Sequence, residues 1–394
     1  MNAADLKQRA AQEIDAQASS LKAISLDIYA HPEVGYEEQY AARLLADELE
    51  KAGFAVQRGA AGLDTAFIGR AAGTAGGPRV AILAEYDSLP GLGHACGHNL
   101  IAATSLGAAL GLKAVLGAVQ GSLVFVGGPA EEKVGGKIPL VEAGLFSDVD
   151  AAMMIHPRGE SQLGRLNLAT SIMEFVFHGR SSHAGAAPEK GINALDACIA
   201  LFNGTNALKK HLRDDARLHG VILEGGNAAN IVPDRARAAF SVRAKDRAYL
   251  QIVMAKTRAC AEAGALMAGA TVDISSTPIC AEMKYNLALS AAFGRNAAAL
   301  GHDFLPVDLT VGGGSTDMGN VSQVVPAIHP FLKIGDSSPT PHTVEFRAAS
   351  CTDQALHAML DGAKILAMTA IDLWTDPELL RQARDEFRAT QQAR

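Results

Sequence analysis

Several features are scarce or absent in this 394-residue chain, and each absence excludes a class of protein. The five cysteines are scattered and odd in number, with no CxxC pair, which favours free thiols in a reducing compartment over a disulfide framework. Lysine and arginine form no cluster and the formal net charge is -7, so no nucleic-acid partner is expected. Residues 1–20 are polar and alternately charged, unlike a signal peptide.

Long apolar runs are also scarce. The most apolar run, residues 100–119, contains Lys113 and several glycines, and it predicts a buried helix packed on a sheet instead of a membrane span. We therefore expect a cytoplasmic protein with no membrane partner. Hydrophobic residues make up 48% of the chain and charged residues 20%, which is typical of a globular protein, and the length allows two domains or one large one.

Strands alternate with helices in the first part of the chain, which indicates an α/β fold with a mixed, mostly parallel sheet and helices on both faces. The predicted segments are helix 4–30, helix 37–53, strand 55–70, strand 79–85, a helix from residue 100, strand 122–126, helix 138–142 and strand 151–155. In the first helix, the residues expected to face the core are Leu6, Ile14, Leu21, Ile24 and Ile28.

The pattern changes at about residue 167 to strand, helix, strand, strand, helix, strand, which is the ferredoxin-like α+β unit. Its predicted segments are 171–178, 192–210, 218–224, 235–243, 247–267 and 270–275. The α/β pattern then resumes, with a helix to residue 300, a strand-like run over 324–334, a turn over 335–343 and a helix over 353–374. We therefore expect a discontinuous first domain (1–167 and 281–394) and an inserted second domain (168–280).

Potential metal ligands follow three of the apolar strands. Cys96 and His98 come after the strand at 79–85, the pair Glu131 and Glu132 after the next, and His156 after the third. Because the carboxyl ends of parallel strands meet at one edge of a sheet, these side chains should converge. With one later histidine they exceed the needs of a single closed zinc site, so a dinuclear site with open positions is expected.

Simpler interpretations of the same residues exist. A single histidine such as His94 is more often structural, and Cys96 could be a small buried hydrophobic residue. A Glu-Glu pair usually lies on the surface, but glycines on both sides of Glu131 and Glu132 favour a shaped pocket loop. In such a loop one glutamate can bind metal while the other acts as a general base.

The second domain has its own candidates: His183 in a turn of small residues, Asn230 just before a strand, and Arg243 at the end of that strand. Each alone is more often a cap or a surface residue. Together they offer a hydrogen-bond donor for an oxyanion, a polar anchor and a clamp for a carboxylate.

These residues lie in motifs that resemble a known family. The motifs occur in the same order along most of the chain: AEYDSLPGLGHACGHN, GGPAEE followed by GGK, MMIHP, RSSHAGAAPEKGINALDA, NIVPD, GGGSTDMGNVS and PHTVEF. The sequence resembles the aminoacylase/carboxypeptidase-type dinuclear metallopeptidases. Within them it is most similar to the amidohydrolase branch, with p-aminobenzoyl-glutamate hydrolases and β-alanyl-lysine-type dipeptidases.

The resemblance implies a catalytic domain with two divalent metal ions and a ferredoxin-like lid that also forms a homodimer. It implies a small-molecule amide substrate, an N-acyl or N-aroyl amino acid or a small dipeptide. By motif position the metal ligands would be Cys96, His98, Glu132, His156 and His342. Glu131 would be the general base for a metal-activated water, and His183 would be catalytic, in its own or the partner's site, while Asn230 and Arg243 would bind substrate. Many relatives carry aspartate where Cys96 stands, so zinc, manganese and cobalt all stay open.

Other functions compete with amide hydrolysis. A hydrolytic deaminase of an aromatic amine could use the same activated water, and a catalytically silent relative could bind metal or ligand only. The presence of Glu131 beside a complete ligand set argues against silence. A cysteine protease is disfavoured, because Cys96 and His98 share one segment and lack an evident third partner.

Overall fold

The protein is described by a computed structural model that covers residues 1–133, 135–335 and 340–392. Contacts within the chain divide the protein into two compact units. Unit 1 comprises Met1–Leu166, Met283–Gly312 and Thr316–Arg394, and unit 2 comprises Asn167–Glu282 and Gly313–Ser315. The predicted turn over 335–343 falls partly outside the described residues, as does Val134 in the loop after the Glu-Glu pair.

The helices are numbered here in chain order. They are α1 (Ala3–Ala16), α2 (Ala18–Ala30), α3 (Gln39–Lys51), α4 (His98–Val115), α5 (Lys137–Glu142), α6 (Ala194–Lys209), α7 (Arg247–Ala268), α8 (Leu287–Ala299), α9 (Met318–Ser322), α10 (Val344–Ala349), α11 (Asp353–Thr375) and α12 (Pro377–Gln392). Two of them, α6 and α7, belong to unit 2, and the others belong to unit 1.

The strands are numbered in the same way. They are β1 (Ala55–Arg58), β2 (Phe67–Ala72), β3 (Thr74–Ala84), β4 (Gln120–Gly127), β5 (Ala151–Met153), β6 (His156–Arg158), β7 (Arg165–Asn167), β8 (Ala169–His178), β9 (Arg217–Glu224), β10 (Arg235–Ala244), β11 (Thr271–Ser276), β12 (Asp308–Gly314), β13 (Ala327–Ile328) and β14 (Phe331–Lys333). Two short pairs, β7 with β12 and β6 with β14, stand apart from the two larger sheets.

Unit 1 is built on a six-stranded sheet in the order β1-β2-β4-β3-β5-β13. Strands β4, β3, β5 and β13 run parallel to one another, whereas β1 pairs antiparallel with β2 and β2 with β4. The last five residues of β3 are all buried, as expected for a parallel strand covered on both faces. The predicted mixed, mostly parallel sheet is therefore confirmed.

Helix α4 lies inside unit 1. It contacts β3 and the helices α1, α2 and α11, and nearly all of its residues are buried. By length and composition alone, residues 98–118 could cross a membrane, but 78% of the most apolar stretch is buried inside the protein. The prediction of a buried helix packed on a sheet is confirmed.

The structure corrects three predicted elements. The helix predicted over 4–30 is two helices that break at Gln17, although all five expected core residues are buried. The strand predicted over 55–70 is a β1–β2 pair, because left-handed glycines at 59 and 62 turn the chain between them. The run over 324–334 is split into β13 and β14, and α12 was not predicted.

Unit 2 is a four-stranded antiparallel sheet in the order β11-β8-β10-β9, with α6 and α7 packed against it. The chain order of strand, helix, strand, strand, helix, strand is the predicted ferredoxin-like arrangement. Residues of β10 alternate between buried and more exposed, so one face of the sheet packs on the helices. Strand β9 forms one edge of this sheet.

Candidate active site

Three segments of unit 1 meet beyond the carboxyl ends of β3, β4 and β5. Cys96 lies in the loop after β3, and His98 is the first residue of α4. Between them Gly97 adopts a left-handed conformation, and a Cβ at this position would come within 2.6 Å of Pro157 Cγ. A glycine is therefore required for the Cys96–His98 segment to approach the segment that carries His156.

The predicted metal ligands converge. The potential ligand atoms of Cys96, His98 and His156 lie within 4.8 Å of one another, and so do those of Cys96, Glu132 and His342. The Cys96 Sγ to His156 Nε2 distance is 3.5 Å, and His342 Nε2 lies 3.1 Å from Glu132 Oε1. Because Glu132 belongs to both a Cys96–His342 group and a group with His98 and Glu131, one carboxylate can serve two neighbouring positions.

The cluster fits divalent cations. His98 Nε2 is buried without a hydrogen-bond partner among the described residues, 3.6 Å from Glu85 Oε2 and 3.9 Å from Glu132 Oε1. Buried polar atoms without partners are costly, so this ring nitrogen needs a ligand. A thiol, three imidazoles and a carboxylate are donors that suit zinc, and they also suit manganese or cobalt.

Asp87 orients two of these residues, a role that the sequence pattern did not reveal. Its Oδ1 lies 2.9 Å from His98 Nδ1, and its Oδ2 accepts the backbone N–H of Glu132 at 2.9 Å. Burial opposes ionisation of Asp87, but the adjacent His98 lowers the pKa of the carboxyl below its usual value. Such a carboxylate fixes the ring so that Nε2 faces the cluster. The sequence signal that could have indicated this role is the position of Asp87 just after β3, shortly before Cys96 and His98.

Glu131 stands in a strongly acidic environment. Burial, followed by the charges of Glu85, Glu132 and Asp317, raises the pKa of the Glu131 carboxyl well above its usual value. Carboxylate oxygens of Glu85, Glu131 and Asp317 lie within 4.8 Å of one another. Its place beside His98 and Glu132 of the ligand cluster is where a general base for an attacking water must stand.

A buried lysine compensates part of this charge. Lys137 is fully buried, forms an ion pair with Glu85, and its Nζ lies 2.7 Å from Asp317 Oδ1. Burial opposes the charge of the ammonium, but Asp317 and Glu85 raise the pKa of Lys137 above its usual value. The ammonium therefore offsets part of the negative charge of Glu85 and Asp317, which are buried beside Glu131.

The three other predicted residues lie in unit 2. His183 is exposed, and its Nδ1 accepts the backbone N–H groups of Gly185 and Ala186 at 3.2 and 3.1 Å. A ring nitrogen that accepts leaves the proton on Nε2 in the neutral form. Asn230 is exposed, and its backbone carbonyl accepts the backbone N–H of Ala184. Arg243 approaches residues 313 and 315 of the glycine-rich segment. Their predicted roles in catalysis and substrate binding stay predictions.

The chain is similar to several known peptidases and hydrolases. Residues 164–266 match a family model described as a peptidase dimerisation domain. The chain is 40% identical to Xaa-Arg dipeptidase of Mus musculus over 97% of this chain and 92% of the relative. It is 31% identical to a p-aminobenzoyl-glutamate hydrolase protein of Escherichia coli (strain K12), over 95% of this chain and 93% of the relative. A Bacillus subtilis structure described as a dinuclear metal binding peptidase from the M20 family has a TM-score of 0.69 at 22% identity, covering 91% of this chain and 99% of that one.

The fold and these relatives define the protein as a hydrolase that acts on C–N bonds. The chain belongs to the M20 family of peptidases, as a homologue of Xaa-Arg dipeptidases and p-aminobenzoyl-glutamate hydrolases. The resemblance seen in the sequence motifs is therefore confirmed, and so is the fold that it implied.

Proposed function

We propose that this enzyme hydrolyses the amide bond of a small dipeptide or of an N-acyl or N-aroyl amino acid in a metal-dependent reaction. The observation that carries the proposal is the position of Glu131, which has a carboxylate oxygen within 4.8 Å of the ligand atoms of His98 and Glu132. The names of the relatives support the substrate class, since one is named for Xaa-Arg dipeptides and another for p-aminobenzoyl-glutamate.

In the proposed mechanism two divalent cations would be held by Cys96, His98, Glu132, His156 and His342. Such ions polarise a carbonyl group and make water more acidic. Glu131 removes a proton from the attacking water and delivers it to the leaving nitrogen as the C–N bond breaks, so the carboxylate is regenerated. Asp87 keeps His98 and the Glu132 backbone in place during this cycle. His183 would donate a hydrogen bond from its Nε2–H to the oxyanion, and Asn230 and Arg243 would bind the substrate carboxylate.

Release of an amino acid from a defined panel of substrates tests this function. The panel should contain an Xaa-Arg dipeptide, a β-alanyl dipeptide, p-aminobenzoyl-glutamate, N-acetylated amino acids and a simple aromatic amine. Each substrate is offered to protein loaded with zinc, manganese or cobalt. We expect cleavage of at least one amide and no ammonia from the amine. If ammonia is released and every amide survives, the protein is a deaminase and the proposal is wrong.

Metal dependence gives a second prediction. Chelation should abolish turnover, and Cys96→Ser should lower the bound metal per subunit, because a neutral hydroxyl replaces a thiolate. Elemental analysis after dialysis is the measurement. Cys260→Ser in unit 2 is the matched control and should keep its metal, since this thiol lies outside the ligand cluster. Full metal content in Cys96→Ser would remove Cys96 from the ligand set.

We also propose that the protein forms a homodimer through β9. This edge strand carries exposed apolar residues, with Val221 54%, Ile222 41% and Leu223 49% exposed. An unpaired apolar edge invites a second strand. The match of residues 164–266 to a peptidase dimerisation domain supports the assignment.

A charge on this edge should separate the subunits. We expect Val221→Lys to be a monomer by sedimentation or light scattering, because a lysine would be buried against the partner strand. Leu266→Lys on α7 is the control, since Leu266 is 82% exposed and lies on a helix of the same unit. A Val221→Lys protein with the mass of the wild type would place the interface elsewhere.

A further inference from the structure

Three carboxylates hold the loop that carries Glu131, here called the catalytic loop (residues 128–133 and 135–137). Each accepts one backbone N–H of the loop. Asp87 binds the N–H of Glu132 at 2.9 Å and Asp317 that of Lys137 at 2.8 Å. The third is Glu38, whose Oε1 accepts the N–H of Ala130 at 2.7 Å. Asp87 also contacts the candidate ligand His98, and Asp317 also pairs with Lys137. Glu38 instead binds the hydroxyl of Thr65.

Glu38 is fully buried at the residue before α3. Its second oxygen accepts the hydroxyl of Thr65 at 3.0 Å, and the carbonyl of Thr65 accepts the hydroxyl of the buried Tyr86. Glu38 therefore joins the segment before β2, and through it the segment after β3, to the catalytic loop. A buried carboxyl is costly, and burial raises the pKa of Glu38 to about 7.

The residue that Glu38 holds has an unusual backbone. Ala130 has a φ of 55°, in the left-handed region that alanine rarely adopts. It is pressed against Gly35, where a Cβ would come within 2.9 Å of the Ala130 Cβ. Such a conformation persists only when the surroundings impose it. Because the backbone at 130 sets the direction of the next side chain, it also sets the direction of the Glu131 carboxyl.

We propose that Glu38 is a positioning residue for catalysis: by accepting the Ala130 N–H it holds the backbone that aims Glu131 at the substrate. This inference rests on the proposed role of Glu131. The hydrogen bond matters here and the charge of Glu38 does not, since the donors are a backbone amide and a hydroxyl. A glutamine can make the same pair of contacts, with its oxygen on Ala130 and its amide on the Thr65 hydroxyl.

Two variants separate the hydrogen bond from the charge. Glu38→Gln keeps the length and loses the charge, whereas Glu38→Asp keeps the charge and withdraws the oxygens by one methylene. We expect Glu38→Gln to retain kcat within about threefold and Glu38→Asp to lose about a hundredfold, since a misplacement of about 1 Å can cost that much. KM, metal content and the circular dichroism spectrum should stay near wild type in both.

Glu33→Asp is the matched structural control. Glu33 lies in the same segment, and its carboxylate accepts the N–H groups of Tyr40 and Ala41 at the start of α3 instead of an N–H of the described catalytic loop. It should lower the melting temperature and leave kcat unchanged. The proposal is overturned if Glu38→Gln loses as much kcat as Glu38→Asp, if Glu38→Asp keeps kcat, or if its loss follows melting temperature or metal content. Failure of the proposed role of Glu131 would have a different result, because Glu131→Gln would then retain turnover in the same assay.

Discussion

Replacement of Glu131 by glutamine should lower turnover by about 10² to 10⁴-fold, the usual contribution of a general base. Glutamine has the same shape but cannot take a proton from water at neutral pH. The fold and the metal content should therefore be preserved, and the loss should appear in kcat more than in KM. Steady-state kinetics on metal-loaded protein, with the metal content of each preparation measured, gives the comparison.

The control for this experiment is Glu142→Gln at the end of α5, a glutamate that follows the catalytic loop in the chain and lies outside the ligand cluster. It should leave kcat and KM as in the wild type. Turnover close to that of the wild type in a metal-replete Glu131→Gln protein would contradict the proposed mechanism. The base would then have to be another carboxylate of the cluster, and Glu85 would be the next residue to test.

Replacement of Lys137 by methionine should destabilise the protein by about 3–5 kcal/mol. Methionine keeps most of the volume of the side chain, but it leaves Glu85 and Asp317 buried without their counter-ion. Uncompensated buried charge is among the few single changes with an effect of this size. Chemical unfolding of metal-matched proteins, followed by the far-ultraviolet signal, is the measurement.

Lys51→Met provides the matched comparison, because Lys51 pairs with Glu48 on the surface, where the lysine side chain is 69% exposed. An exposed pair contributes about 0–1 kcal/mol, so this variant should unfold almost like the wild type. Adding Asp317→Asn to Lys137→Met should restore part of the lost stability, since one buried charge is removed. Equal stabilities of Lys137→Met and Lys51→Met would show that the buried triad does not contribute as described.

Much of the site could be predicted from the sequence, since parallel strands deliver their following loops to one edge of a sheet. Cys96, His98, Glu131, Glu132 and His156 each follow a strand, and the structure brings them together. His342 was assigned from its motif only, and it also joins the cluster. The roles of the unit 2 residues stay predictions.

Residues that act through a second residue were missed for a physical reason. Glu38, Asp87 and Asp317 lie far apart in the chain, and each binds a backbone N–H of the catalytic loop. An acidic residue has the same appearance in a sequence whether it is solvated or buried. Only packing shows which amide it meets, so neither the ion pair of Lys137 nor the support of Ala130 could be read from the pattern.

The sequence by itself determined the family, the mixed sheet and the order of most elements in both units, because hydrophobic periodicity and long motifs are local properties of the chain. It also determined which thiol, imidazole and carboxylate groups follow the central strands. The tertiary structure decided that the helix predicted over 4–30 breaks at Gln17 and that the strand predicted over 55–70 turns back between β1 and β2. The apolar periodicity of the sequence marks neither position. The tertiary structure alone decided which buried carboxylates hold the catalytic loop and that Lys137 pairs with Glu85 and Asp317, because those contacts join residues that only folding brings together.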